Sequence, residues 1–240
     1  CEGPGCGAEV PLMRSLWLVK KEKKAVAFKL IPILKSKRID IEIVTNVKAK
    51  DVSEGTIRRS SCTCPICGYT TSAENVRSQF VPRGGGANDA RLLAVVLQPK
   101  KGEGVHFRNP EKNDLTAFAK ARNQLAKKDK IDGYLSPVPD ETLPYLRSIF
   151  NVNLLGIDQW GKLFNHRQNL ALVTLVEKTK QVLETNRLSL NDRGLLIALV
   201  TCLALAIDRS ADYWSSLAVW AGDFVAHTFG RQALGIVWDY

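Results

Sequence analysis

Cys64-Pro65-Ile66-Cys67-Gly68 and Cys1-Glu2-Gly3-Pro4-Gly5-Cys6-Gly7 are two loops of one kind, each a pair of cysteines closed by a glycine. A tight turn aims two sulfurs at one point, and the following glycine lets the backbone curl so that amides face them. Thiolates are soft anionic donors, and four of them complete a tetrahedral zinc shell. A spacing of two residues in one loop and four in the other lies within the zinc-knuckle range. The two loops together predict a site with Cys1, Cys6, Cys64 and Cys67 as ligands and Zn2+ as the ion. Four thiolates leave no open coordination position, so the expected role is structural rather than catalytic. Cys62 stands outside the set because Cys62-x-Cys64 is too tight for a knuckle. Cys202 sits in an apolar segment and reads as a small core residue. A redox dithiol at Cys64 and Cys67 is the competing reading.

Outward from the loops, the chain divides by pattern. Between the knuckles Ile39, Ile41 and Ile43 alternate with Asp40 and Glu42, the period of a half-buried strand. Glu9–Val19 and Ala25–Leu34 read as extended, with Pro32 discouraging helix. Residues 1–72 are therefore expected to form a four-cysteine zinc ribbon carrying a β insert and small sheet. Residues 73–131 read as an α/β segment. It comprises a short helix capped by Ser72, a Gly84-Gly85-Gly86 run that reads as a flexible linker rather than a ligand-gripping phosphate cradle, and an apolar strand from Arg91 to Leu97 that pairs with Val105–Arg108. A helix then opens at Asn109-Pro110-Glu111 and reaches Lys130, unless Asn113 caps a later start. Residues 132–144, with Pro137, Pro139 and Pro144, read as a linker. Residues 145–240 are expected to be mainly helical. Asn165 and Gln168 have capping-box spacing and open a helix to about Thr185. Ser189 or Asn191 opens another to about Trp214, apolar nearly all round and expected to be buried centrally in a helical layer. The fold class is α+β.

Charge is uneven. Residues 1–130 hold 25 Lys and Arg against 13 Asp and Glu; residues 131–240 hold 9 against 11. A basic half joined to a near-neutral half is the pattern of a nucleic-acid footprint, with a solvated lysine-rich surface as the bland alternative. Lys20, Lys21, Lys23, Lys24, Lys35, Lys37, Arg38, Lys48 and Lys50 crowd the insert, and Arg58 and Arg59 flank the second knuckle. Phosphate neutralisation needs this density without a fixed register, so these are the candidate DNA contacts. Trp17 and Phe28 are candidates to stack on bases or to pack in the core.

The sequence has no signal-peptide pattern. Its longest apolar run, Gly194–Ile207, is shorter than the roughly 20 residues of a membrane span. Six cysteines without a secretory signal suit reduced thiols and metal, hence a cytoplasmic protein with no membrane partner. The three histidines, His106, His166 and His227, have no ligand or triad spacing. His227 reads as a hydrogen-bonded structural residue. No nucleophile elbow, Walker loop or dinucleotide fingerprint is present. A chain that opens on a metal ligand without a methionine reads as a piece of a larger protein.

Several strings carry a resemblance. They are Cys6-Gly7-Ala8-Glu9-Val10-Pro11-Leu12, Thr63-Cys64-Pro65-Ile66-Cys67-Gly68-Tyr69, Leu135-Ser136-Pro137-Val138-Pro139-Asp140-Glu141 and Trp160-Gly161-Lys162-Leu163-Phe164-Asn165-His166-Arg167-Gln168. Asp208-Arg209-Ser210-Ala211-Asp212-Tyr213 and Ala226-His227-Thr228-Phe229-Gly230-Arg231-Gln232 follow. In this order the chain resembles the middle of the zinc-ribbon-containing adenine-specific DNA methylases, which carry an N-terminal DUF1156 region. The resemblance covers essentially all 240 residues. It implies an S-adenosylmethionine-dependent N6-adenine methyltransferase of restriction-modification or phage-defence clusters, with a Rossmann-like core. The family's Asp-Pro-Phe-x-Gly-x-Gly cofactor motif and Asp-Pro-Pro-Tyr catalytic motif lie outside this segment, and the chain contains no Asp-Pro dipeptide. Only the four ribbon cysteines carry over. The implied partners are double-stranded DNA and the remainder of the methyltransferase core, and the segment alone is expected to be inactive. The alternative is a non-enzymatic zinc-ribbon module that binds protein.

Overall fold

The structure, a computed structural model, describes residues 1–21, 24–98, 104–128, 135–185 and 190–238. Three strands, β1 (Trp17–Lys21), β2 (Lys24–Ile33) and β3 (Arg38–Thr45), form an antiparallel sheet in that order. β2 and β3 pair without interruption from Val26↔Thr45 to Ile33↔Arg38. β1 pairs with β2 only as far as Ala27, so Pro32 lies where β2 has one free side and its missing N–H breaks no ladder bond. Met13, Leu16, Leu18, Val19, Val26 and Phe28 form the core under this sheet, each apolar side chain contributing about 1.5–3 kcal/mol on burial. Phe28 is 8% exposed and serves the core, not base stacking.

A second small sheet, β4 (Ile57–Arg58), β5 (Ser61–Thr63) and β6 (Thr70–Thr71), carries the second cysteine loop between its last two strands. Helix α1 (Ala73–Phe80) follows, with Ser72 Oγ accepting a bond from Asn75 N at 3.2 Å. The strand expected over Arg91–Leu97 shortens to β7 (Val95–Leu97), paired with β8 (His106–Arg108). The lost residues have other partners: Arg91 donates to Ile39 O at 2.8 Å, and Leu93 and Ala94 pack on the first core.

Helix α2 spans Lys112–Leu125 and is capped at Glu111, not Asn109 or Asn113. Asp114 decides the start: its carboxylate accepts the Glu111 N–H at 2.8 Å and both terminal nitrogens of Arg108 at 2.6 and 3.0 Å. That arrangement holds the Asp114 carboxyl at about 2, chiefly through Arg108 and then the Glu111 amide. The helix ends five residues before Lys130, which lies outside the described residues.

Gly84-Gly85-Gly86 is not a flexible linker. All three have positive φ, and a Cβ on Gly85 would lie 1.8 Å from the Leu155 carbonyl oxygen. The run lets the backbone after α1 cross directly over the 152–155 turn. Beyond it, Leu143, Val152, Ile157, Leu163, Leu217 and Leu234 form a second core. Leu143 N donates to Asp158 O at 2.8 Å, so the proline-rich stretch is pinned at its end.

Helices α3 (His166–Thr185) and α4 (Leu190–Tyr213) pack together. Asn165 and Gln168 exchange bonds of 2.8 and 3.0 Å, a complete capping box for α3. Ser189 lies outside the described residues. α4 departs from expectation: Leu196 is buried, but Leu195 is 72% and Leu205 64% exposed, with Ile197, Leu199 and Leu203 also open. Hydrophobicity on every face demands cover on every face, and among the described residues α3 packs on one. Arg193–Tyr213 runs 21 residues at mean hydropathy 1.8, long and apolar enough by length and composition to cross a membrane. That is longer than the apolar run read from sequence.

A two-stranded ribbon, β9 (Val219–Trp220) and β10 (Val225–Ala226), returns to the first sheet. Trp220 Nε1 donates to Leu18 O at 2.9 Å and its ring meets Phe107 edge-on at 5.9 Å. The architecture is α+β, small antiparallel sheets with four α-helices among the described residues.

Candidate metal centre

The two cysteine loops meet. The Sγ atoms of Cys1, Cys6, Cys64 and Cys67 all lie within 4.8 Å of one another. Cys1 and Cys67 are 3.5 Å apart, Cys6 and Cys64 3.9 Å. These distances exceed the ~2.05 Å of a disulfide, and all four cysteines are free. A tetrahedron of thiolates about 2.3 Å from a central zinc has edges of about 3.8 Å, close to the two opposite separations of 3.5 and 3.9 Å.

Local backbone rules build the site. In the first loop Cys6 N donates to Gly3 O at 2.9 Å, and Gly7 takes φ +61°. In the second, Gly68 N donates to Cys64 O at 2.9 Å, and Gly68 takes φ +73°. Both loops thus curl through a left-handed glycine at the same place. Amides turn inward: Gly3 N lies 3.3 Å from Cys1 Sγ and Ile66 N 3.4 Å from Cys64 Sγ. The Tyr69 amide holds the Cys67 thiol below its ordinary value, easing formation of the thiolate that a metal requires. Gly3 is also sterically fixed, since a Cβ there would lie 2.9 Å from Cys67 Sγ.

Neighbouring elements hold the first loop in place. Glu9 N donates to Lys37 O at 3.0 Å, and Lys37 Nζ donates to Gly5 O at 3.1 Å, so the β2–β3 turn braces the first loop. Glu2 accepts from Asn75 Nδ2 at 2.8 Å, tying that loop to α1. Cys62 does not join the cluster; it is buried on β5, and desolvation pushes its thiol up to about 11. Cys202 is exposed on α4, not a core residue.

Apart from half-buried Lys24, the described basic residues of the candidate set are exposed, but they do not converge on one patch. Lys35, Lys37 and Arg38 lie at the β2–β3 turn beside the first loop. Lys20, Lys21 and Lys24, with Lys48 and Lys50, belong to the far end of the hairpin, roughly 25 Å away by strand rise. Arg58 ends β4 and Arg59 lies in the turn to β5. Some are already engaged. Lys21 pairs with Asp223, Lys24 donates to Val105 O, and Lys20 sits 5.4 Å over the Trp17 ring. Lys35, Lys48, Lys50, Arg58 and Arg59 make no ion pair or side-chain hydrogen bond among the described residues. Lys23 lies outside them.

His227 stands 3.4 Å from Asp212 Oδ2 and is seated against Gly230. Asp212 also accepts the Phe229 amide at 2.8 Å and pairs with Arg209. This cluster joins α4 to the C-terminal segment. His166 meets Phe118 edge-on at 5.8 Å, its basicity lowered by burial and then by Arg122. His106 is exposed on β8.

No protein-family model matches the sequence, and no curated protein or solved structure matches it either.

Proposed function

We propose that the chain is a zinc-stabilised, DNA-contacting module inserted in an S-adenosylmethionine-dependent N6-adenine DNA methyltransferase. The observation that carries the module is the convergence of Cys1, Cys6, Cys64 and Cys67 at separations suited to one tetrahedral ion. The ion is zinc, held structurally in a ribbon, because four thiolates satisfy it and leave no site for substrate. The methyltransferase assignment rests on the ordered resemblance of the sequence strings.

DNA contact is supported by Lys35, Lys48, Lys50, Arg58 and Arg59, which are exposed and unpaired among the described residues. Methyl transfer belongs to the remainder of the parent, acting on a flipped adenine. The exposed Leu195, Leu199 and Leu205 of α4 suit docking against that remainder rather than lipid, since Asp208, Arg209 and Asp212 fall in the last turns of the same helix. The same face supports the second reading, a module that binds protein and not nucleic acid.

Fluorescence anisotropy with duplex DNA across a salt series separates the two. The DNA reading expects affinity to fall steeply with salt, and Lys48→Ala/Lys50→Ala to reduce the log–log slope by about 2. No duplex binding at low salt rejects DNA contact and leaves the protein-binding module.

A further inference from the structure

Among the described residues neither Arg77 nor Arg147 makes an ion pair or a side-chain hydrogen bond, yet both line one cavity of about 380 Å³. An unpaired guanidinium on a concave wall is a waiting anion site, and two of them suit a phosphate, whose oxygens match the planar fork. The same cavity is lined by two aromatic rings, Tyr145 and Trp238. Trp238 packs edge-on against Phe80 at 6.0 Å, and Tyr145 is 54% exposed.

The backbone supplies a second, independent observation. Ser60 and Ser148 both line the cavity and both hold φ +67°, a left-handed conformation costly for residues other than glycine. Such strain gathers at binding sites. Arg58 and Arg59 precede Ser60 on the same turn, adding positive charge on the approach. The volume lies within the range of about 300–1,000 Å³ typical of small-ligand pockets.

We propose that this cavity binds a nucleotide, its phosphate on Arg77 and Arg147 and its base against Tyr145 and Trp238. Base–aromatic contact tolerates every base, so the site selects for nucleotide over base identity. The nucleotide comes either free in solution or as an unstacked unit of a strand. In the second form the inference rests on the DNA-contact reading above; in the first it stands apart from it.

Isothermal titration calorimetry of the full chain tests the proposal with four probes: deoxyadenosine monophosphate, deoxyadenosine, ribose 5-phosphate and a single-stranded dodecamer. Arg147 and Tyr145 are exposed and their side chains make no hydrogen bond among the described residues, so Arg147→Ala and Tyr145→Ala leave the fold intact. The expected result is at least tenfold tighter binding of the monophosphate or the dodecamer than of deoxyadenosine or ribose 5-phosphate. Each variant should weaken it at least tenfold. Preference for the monophosphate assigns a free nucleotide, and preference for the dodecamer a strand. If neither probe binds, or both variants bind like the parent chain, the proposal is overturned. Duplex affinity is read separately through Lys48→Ala/Lys50→Ala, so either idea can fail alone.

Discussion

A Cβ at position 85 would overlap a carbonyl oxygen, while one at position 84 would meet nothing within 4 Å, although both glycines have positive φ. The pair separates steric demand from conformational demand. Gly84→Ala should cost about 1 kcal/mol, the left-handed penalty alone. Gly85→Ala should cost roughly 3 kcal/mol or more, because the Leu155 turn must also move. Denaturant unfolding of both variants checks this, and equal losses would contradict the crossing. The three glycines are obvious in the sequence, but their purpose is not, since Leu155 is 70 residues further on. The cysteine loops are the opposite case. Each is closed by bonds within a few residues, so its shape can be read locally and only the meeting of the two needs the fold.

Among the elements, the caps of α1 and α3 could be read from sequence because each bond stays within three residues. The start of α2 could not, because Asp114 also answers to Arg108 on a separate strand. That pairing makes a pH-dependent prediction. The Asp114 carboxyl titrates at about 2 in the folded chain against an ordinary 3.8. Its contribution to stability is therefore full above about pH 4 and is lost as pH falls through 2. Asp114→Asn should destabilise the chain at neutral pH, and its deficit against the parent should shrink between pH 4 and 2. Denaturant titrations along that range check it, and a constant deficit would contradict the pairing. α4 shows what hydrophobic pattern omits. An all-round apolar helix announces that it must be covered, but not whether the cover lies in the same chain.

Across the whole molecule, the metal cluster, the first core and the C-terminal ribbon are linked. The first cysteine loop is braced by the β2–β3 turn, and β1 of the same sheet receives Trp220. Assembly at this range escapes sequence reading. The basic residues look like one cluster along the chain, yet the hairpin register divides them between its two ends. The Arg77–Arg147 cavity draws its wall from segments as far apart as Ser60 and Trp238. The four-thiolate site is what the rest depends on, and metal analysis by mass spectrometry joined to X-ray absorption reaches it most directly. One zinc per chain is expected, with four sulfur neighbours at about 2.3 Å, and Cys64→Ser/Cys67→Ser should lose the ion. A purified chain that carries no metal and takes up none from zinc buffer, or one whose bound zinc has nitrogen or oxygen neighbours in place of the four sulfurs, would contradict the site.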